Sequence, residues 1–248
     1  MKILCTIGGF DPSSGAGVSA DIKTALRAGV YAAGVVTSIT AQNTSKFISA
    51  TAVTPEIVSN QLMAIEQDFD IGAIKLSLTG GGENLPVIIH FLRNHSQIPV
   101  VWDPVISSTT GGILSTVSQN WEELLSLCSV VTPNCSEIVK IINEYPGDPE
   151  KSASVLSEKY RSKVLLKSVP NHPAGTDILF SGENRIIFTS NINDTREIHG
   201  TGCALSTLIA CTLISENNLS KAVETAKKTL GKMRENVFRP SHGSYLFK

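Results

Sequence analysis

The residues best suited to chemistry in this sequence are His199-Gly200-Thr201-Gly202-Cys203. Two glycines let the backbone approach a ligand closely, and an apolar helix opens directly after them. The first N–H groups of a helix have no partner within it, and the helix dipole places partial positive charge there. The segment therefore suits an anion such as phosphate. Cys203 falls in the first turn, where the dipole favours the thiolate. The sequence thus predicts a thiol of depressed pKa, able to take a proton from an attacking hydroxyl. Other readings stand beside this one. The segment reads equally well as a glycine turn with Thr201 as N-cap, and Cys203 taken alone reads better as a small buried residue.

Several familiar solutions are absent. There is no Gly-x-x-x-x-Gly-Lys-Ser/Thr loop for nucleotide phosphates. Gly15-Ala16-Gly17-Val18-Ser19-Ala20 stops one glycine short of a dinucleotide fingerprint. No His-Glu-x-x-His or Cys/His cluster points to a structural metal, and no Gly-x-Ser-x-Gly elbow points to a hydrolase. Net charge is −1 over 248 residues, which gives no basic footprint for nucleic acid. The five cysteines contain no Cys-x-x-Cys pair, so a disulfide framework is not expected. No apolar stretch is long enough to span a membrane, and the short run Met1 to Ile7 is not a signal peptide. The cytoplasm is the expected location.

The elements that must position these residues alternate along the chain. Strands are predicted at Ile3–Ile7, Val35–Ile39, Ala73–Leu76, Pro99–Trp102, Val130–Thr132 and Val164–Lys167. Helices are predicted at Gly17–Ala28, Pro55–Phe69, Leu85–Asn94, Trp121–Leu127, Ser136–Asn143, Pro149–Arg161, Thr201–Ser215 and Leu219–Phe238. Asp177–Phe180 and Arg185–Phe188 flank a hairpin turn. Apolar strands alternating with helices imply a mostly parallel sheet covered on both faces, with antiparallel strands at one edge. One domain spanning 1–248 is expected. Ligands of such sheets bind at the carboxyl ends of the strands. Gly8 to Gly17, Ala41 to Ser45, Asp103, Asn134, Lys167 and His199 to Cys203 all fall there.

Taken together, several segments resemble the hydroxymethylpyrimidine/phosphomethylpyrimidine kinases of thiamine biosynthesis, within the ribokinase-like superfamily. The opening Gly8-Gly9-Phe10-Asp11-Pro12-Ser13-Ser14-Gly15-Ala16-Gly17 through Thr24 carries the likeness. So do Ala41-Gln42-Asn43-Thr44, Asp103-Pro104-Val105, Thr132-Pro133-Asn134 with Glu137, and His199 to Cys203, in order over nearly the whole chain. The resemblance implies a three-layer α/β/α fold with a short antiparallel edge, and phosphoryl transfer from ATP with Mg²⁺. By position it implies that Asp21 and Gln42 hydrogen-bond an aminopyrimidine, with Gly9, Leu78 and Val105 lining the same pocket. It places Asn134, Glu137 and Lys167 at the nucleotide phosphates. Asp103 lies near the metal and γ-phosphate, and Asp103 and Glu137 meet Mg²⁺ directly or through water. Gly200, Thr201 and Gly202 match the anion hole, and Cys203 matches the catalytic base. The implied partner is a small hydroxymethyl heteroaromatic substrate, with no nucleic acid and no membrane; a homodimer is compatible with the resemblance.

The sequence departs from the family pattern in three places. Lys75-Leu76-Ser77-Leu78 stands where Lys-Ile-Gly-Met is usual, so Leu78 replaces a pocket methionine. Ser168-Val169-Pro170-Asn171-His172 replaces the Gly-Gly-His that usually follows Lys167. Thr40 takes the place of a small apolar residue. Two further readings stand beside this one: a pyridoxal-type kinase of the same superfamily, since pyridoxal is also a hydroxymethyl heteroaromatic, and a pyrimidine-binding or regulatory protein with weak catalysis, suggested by the altered segment after Lys167.

Overall fold

A computed structural model describes residues 1–106, 121–142, 144–190 and 196–248. Its strands are β1 (Ile3–Phe10), β2 (Ala32–Gln42), β3 (Phe47–Ala52), β4 (Ile71–Leu76), β5 (Val100–Trp102), β6 (Val130–Val131), β7 (Lys163–Leu166), β8 (Asp177–Ser181), β9 (Asn184–Phe188), β10 (Val237–Phe238) and β11 (Leu246–Phe247). Its helices are α1 (Gly17–Arg27), α2 (Pro55–Asp68), α3 (Leu85–Asn94), α4 (Trp121–Leu127), α5 (Cys135–Ile142), α6 (Pro149–Tyr160), α7 (Thr201–Leu213) and α8 (Leu219–Glu235). Asn143, the last residue of one predicted helix, lies outside the described residues.

Among the described residues one sheet runs in the order β3-β2-β1-β4-β5-β6-β7-β8-β9. The six strands from β2 to β7 pair in parallel. Both edges turn antiparallel, β8 and β9 at one end and β3 at the other. The sequence predicts only the first of these edges; the second, β3, is an addition. β3 reads Phe-Ile-Ser-Ala-Thr-Ala and is almost wholly exposed, so it carries none of the apolar alternation that marks a half-buried strand. The chain also leaves the last helix three residues earlier than predicted, and Val237–Phe238 pairs with Leu246–Phe247.

The strand period of two sorts the core into two layers. Cys5, Ile7, Ile74, Leu76, Trp102, Val131, Val164 and Leu166 face the buried residues of α2 to α6. Leu4, Ala73, Val101, Val130 and Leu165 face α7, α8 and the buried face of α1. α7 is buried along most of its length. It lies against α1, α8, β4 and β5, which fixes where its first turn comes to rest. From β1 the chain crosses to β2 on one side, and later returns to β4 on the other. The carboxyl ends of β1 and β4 therefore frame a topological switch point, where ligands of open α/β sheets bind. No helix of the described residues is long and apolar enough to cross a membrane.

Candidate active site

Two clefts meet at the start of α7. One is lined by Gly9, Phe10, Gln42, Leu78, Val105 and Cys203, among others. The other is lined by Lys167, Ser168, Asp177, Thr201, Gly202 and Lys227, among others. The N-cap of α7 is Gly200, at φ +81°, and no side chain caps the helix. The reading with Thr201 as N-cap is thereby corrected. A Cβ on Gly200 would come 1.8 Å from the Gly15 carbonyl oxygen, so the two glycine loops pack backbone to backbone. His199 and Asp11 tie the same loops together at 3.3 Å, both side chains buried. Asp11 also accepts from the N–H of Ser13 at 2.8 Å and of Ala16 at 3.0 Å. Burial would raise its pKa, but His199 and Ser13 outweigh burial and hold the carboxyl below its usual range. Asp-Pro-Ser-Ser is a turn-forming run in the sequence, yet nothing local announces its partner 188 residues away.

The first cleft gathers most of the expected substrate residues. Gly9 leaves room for Leu78, whose Cδ2 would lie 2.9 Å from a Cβ there. The hydroxyl of Ser77, the other departure just beyond β4, fills the space beside Gly8 in the same way. The Nε2 of Gln42 donates to Thr40 at 3.1 Å, and its Oε1 is buried with no hydrogen-bond partner.

Asp21 does not join them. Its side chain has 0% exposure and faces the protein interior beneath α7. Oδ2 accepts from Thr6 at 2.6 Å and from Lys75 at 2.8 Å, while Oδ1 accepts from Thr207 at 2.8 Å. Fully buried and held by three protein donors, its carboxylate does not line the first cleft, where the expected contact with the aminopyrimidine would be made. Lys75 shares a strand face with Ala73, which aims its ammonium into the layer of α1 and α7. Burial alone would lower its pKa; Asp21, Cys203 and Asp103 outweigh burial and hold the ammonium above the ordinary lysine range. The sequence shows this pair only as an acid on one helix and a lysine on one strand, 54 residues apart.

Cys203 reaches the first cleft but not in the expected state. The residue keeps some exposed surface, yet burial among the loops pushes the thiol up to about 12. Lys75 pulls it down and Asp103 and Asp21 push it further up, while the Gly17 backbone offsets little of this. Desolvation and two carboxylates from elsewhere in the chain thus overcome the helix dipole on which the depressed value rested.

On the far side of α7, Lys167 donates to Asp103 at 2.6 Å. Asp103 also accepts from Thr132 and from Ser206, each at 3.3 Å. Burial disfavours its charge, but Lys167 and Lys75 hold the carboxyl below its usual range. A Cβ at Gly202 would sit 3.2 Å from the Lys167 ammonium, so the glycine brings cation and helix terminus together. Asn134 and Glu137 form a reciprocal cap of α5: Asn134 Oδ1 accepts from the Glu137 N–H at 2.9 Å, and Glu137 Oε2 from the Asn134 N–H at 2.8 Å. Burial raises the Glu137 carboxyl to about 7, with Asp103 adding to the rise and Lys167 opposing it. After Lys167 the altered segment turns tightly, with Ser168 and Asn171 at positive φ. It is pinned by Ser168 N–H to Asp177 at 2.8 Å and by Lys227, which holds Asp177 and donates to the Gly175 carbonyl at 2.8 Å.

The model of the phosphomethylpyrimidine kinase family matches residues 11–247. A hydroxymethylpyrimidine/phosphomethylpyrimidine kinase of Rhizobium meliloti is 37% identical over 238 residues, covering 92% of this chain and 88% of the relative. One from Staphylococcus aureus is 37% identical over 238 residues, with 92% and 86% covered. The solved phosphomethylpyrimidine kinase of Clostridium difficile superposes with a TM-score of 0.78 at 25% identity, covering 94% of this chain and 99% of the other. A Bacillus subtilis pyridoxal kinase, solved as an ADP complex, shares the fold at TM-score 0.85 and 23% identity over 100% and 97% of the two chains. The ribokinase-like fold expected from the motifs is borne out. Matched in sequence across almost its whole length and in fold by kinases, this chain is a phosphotransferase and belongs to the phosphomethylpyrimidine kinase family.

Proposed function

We propose that this chain transfers the γ-phosphoryl group of ATP, with Mg²⁺, to 4-amino-5-hydroxymethyl-2-methylpyrimidine, to its monophosphate, or to both, in thiamine biosynthesis. The observation that carries this reading is the uncapped first turn of α7, standing between a cleft that holds Cys203 and Gln42 and a cleft that holds Lys167. Acceptor on one side and nucleotide on the other would meet at the Gly200-Thr201-Gly202 N–H groups. These would hold the transferring phosphoryl as an anion hole. Phosphoryl transfer through a loose transition state asks chiefly for charge neutralisation and in-line positioning. Lys167 supplies charge at the helix end, and Gln42, Val105 and Leu78 hold the ring.

The residues fit Mg²⁺ in one particular way. No three metal-binding side chains converge among the described residues. Asp103 and Glu137 instead offer two buried carboxylates beside Lys167, a donor set suited to a magnesium ion that keeps phosphate and water as its other ligands. When bound, the ion would neutralise phosphate oxygens. Because Asp103 contributes to holding the Cys203 thiol protonated, a cation at Asp103 would also favour the thiolate. Cys203 would then accept the hydroxyl proton late in the transfer.

Product analysis tests the reading. With the hydroxymethyl alcohol and ATP, phosphorus NMR should record ADP and a phosphate monoester. With the monophosphate as acceptor, it should record a pyrophosphate ester. ATP consumption that yields inorganic phosphate alone would discard it.

A further inference from the structure

Thr40 and Gln42 lie two residues apart on β2, so their side chains share a face and open on the same cleft. Thr40 is 6% exposed, and its hydroxyl donates to the Phe10 carbonyl at 2.9 Å. A carbonyl oxygen can only accept, so the single hydroxyl proton is spent there. Towards Gln42, at 3.1 Å, the Thr40 oxygen has only lone pairs left. It can be met by the amide NH₂ but not by the amide carbonyl. Bonding chemistry therefore decides which way this amide turns, a choice that heavy-atom positions alone leave open. The carbonyl oxygen is directed away from Thr40, buried and without a protein partner. A buried acceptor left in that state is destabilising until a donor reaches it. The carboxylate lining this cleft, Asp11, is already engaged by Ser13, Ala16 and His199. Asp21 is sealed beneath α7.

We infer that Thr40 is a specificity-positioning residue: it fixes the Gln42 amide so that its carbonyl oxygen meets the ring, selecting heteroaromatic alcohols with an amino donor at that edge over those with an acceptor there. This rests on the aminopyrimidine reading above. An aminopyrimidine brings an N–H to the waiting oxygen. An otherwise identical ring with an oxo group in place of the amine brings lone pairs against lone pairs, and a site built for one hydrogen bond rejects such an analogue strongly.

The test compares kcat/KM for the 4-amino alcohol and its 4-oxo analogue in wild type, Thr40→Val and Thr40→Ser, with thermal melts to establish folding. Valine keeps the shape and removes the acceptor, which frees the amide to turn. Thr40→Val should raise KM for the amino alcohol ~10-fold with kcat within about 2-fold, and cut the amino-over-oxo preference at least ~10-fold. Thr40→Ser should keep both wild-type values, which a role in packing alone would not single out. Should the valine variant not fold, Thr40→Ala carries the same expectation. An unchanged preference in a folded Thr40→Val or Thr40→Ala, or a serine variant that behaves like valine, overturns the inference while the aminopyrimidine reading stands. A wild type that turns over neither pyrimidine overturns both.

Discussion

Cys203→Ala should lower kcat by roughly 10²–10⁴-fold, the usual size of a lost general base, with KM for either ligand little changed. The thiol lines the cleft of Gln42 and Leu78, one residue beyond Gly202, so it faces the side from which the proposed acceptor hydroxyl would approach. Its pKa, pushed up to about 12 by burial, keeps it protonated in the empty site at neutral pH. A base must be deprotonated, so the sign of the pH effect is fixed. The wild-type rate should climb as pH rises from 6 to 9.5, approaching tenfold per unit while the thiol is mostly protonated, and alanine should flatten that slope. A thiolate preformed by the helix dipole would instead give a plateau near neutrality. A near-normal rate for Cys203→Ala would reduce the residue to packing, and a wild-type profile already flat over this range would contradict the protonated resting state of the thiol.

The second large effect is on stability. Asp21→Ala leaves the Lys75 ammonium buried at 0% exposure with its partner gone. It also strips Thr6 and Thr207 of their common acceptor. Removing one member of a buried pair typically costs about 3–5 kcal/mol, whereas replacing both by apolar groups is often close to neutral. Urea denaturation should therefore show Asp21→Ala destabilised by that amount, and Asp21→Ala combined with Lys75→Met recovering most of it. A single variant within about 1 kcal/mol of wild type, or a double variant worse than the single, would show that the pair does not organise the floor beneath α7.

The contrast between these two residues marks how far the sequence could be read. The parallel sheet was legible because Val130-Val131 and Val164-Leu165-Leu166 are continuous apolar runs ended by polar residues, as strands buried on both faces must be. The cleft residues Gly9, Gln42, Leu78 and Val105 were legible through the motifs, since each sits at or just beyond a strand end. Asp21 was not. Its place on α1 is visible in the sequence, but whether a carboxylate faces a ligand or a lysine from β4 is decided by tertiary packing. The same holds for Cys203. The helix terminus is a local property, whereas Asp103 and the burying loops come from distant parts of the chain. β3 escaped because an exposed edge strand needs no apolar alternation. Thr40 looked like an odd substitution until Phe10 and Gln42 gave its hydroxyl one proton to spend and one to receive.

Release of ADP, measured with the hydroxymethyl aminopyrimidine, its monophosphate and pyridoxal as competing acceptors, tests the central claim most directly. The pyrimidine alcohol, its monophosphate or both should be turned over with kcat/KM at least ~100-fold above pyridoxal, the size of discrimination that one well-made polar contact supports. Efficient turnover of pyridoxal with none of either pyrimidine would contradict it.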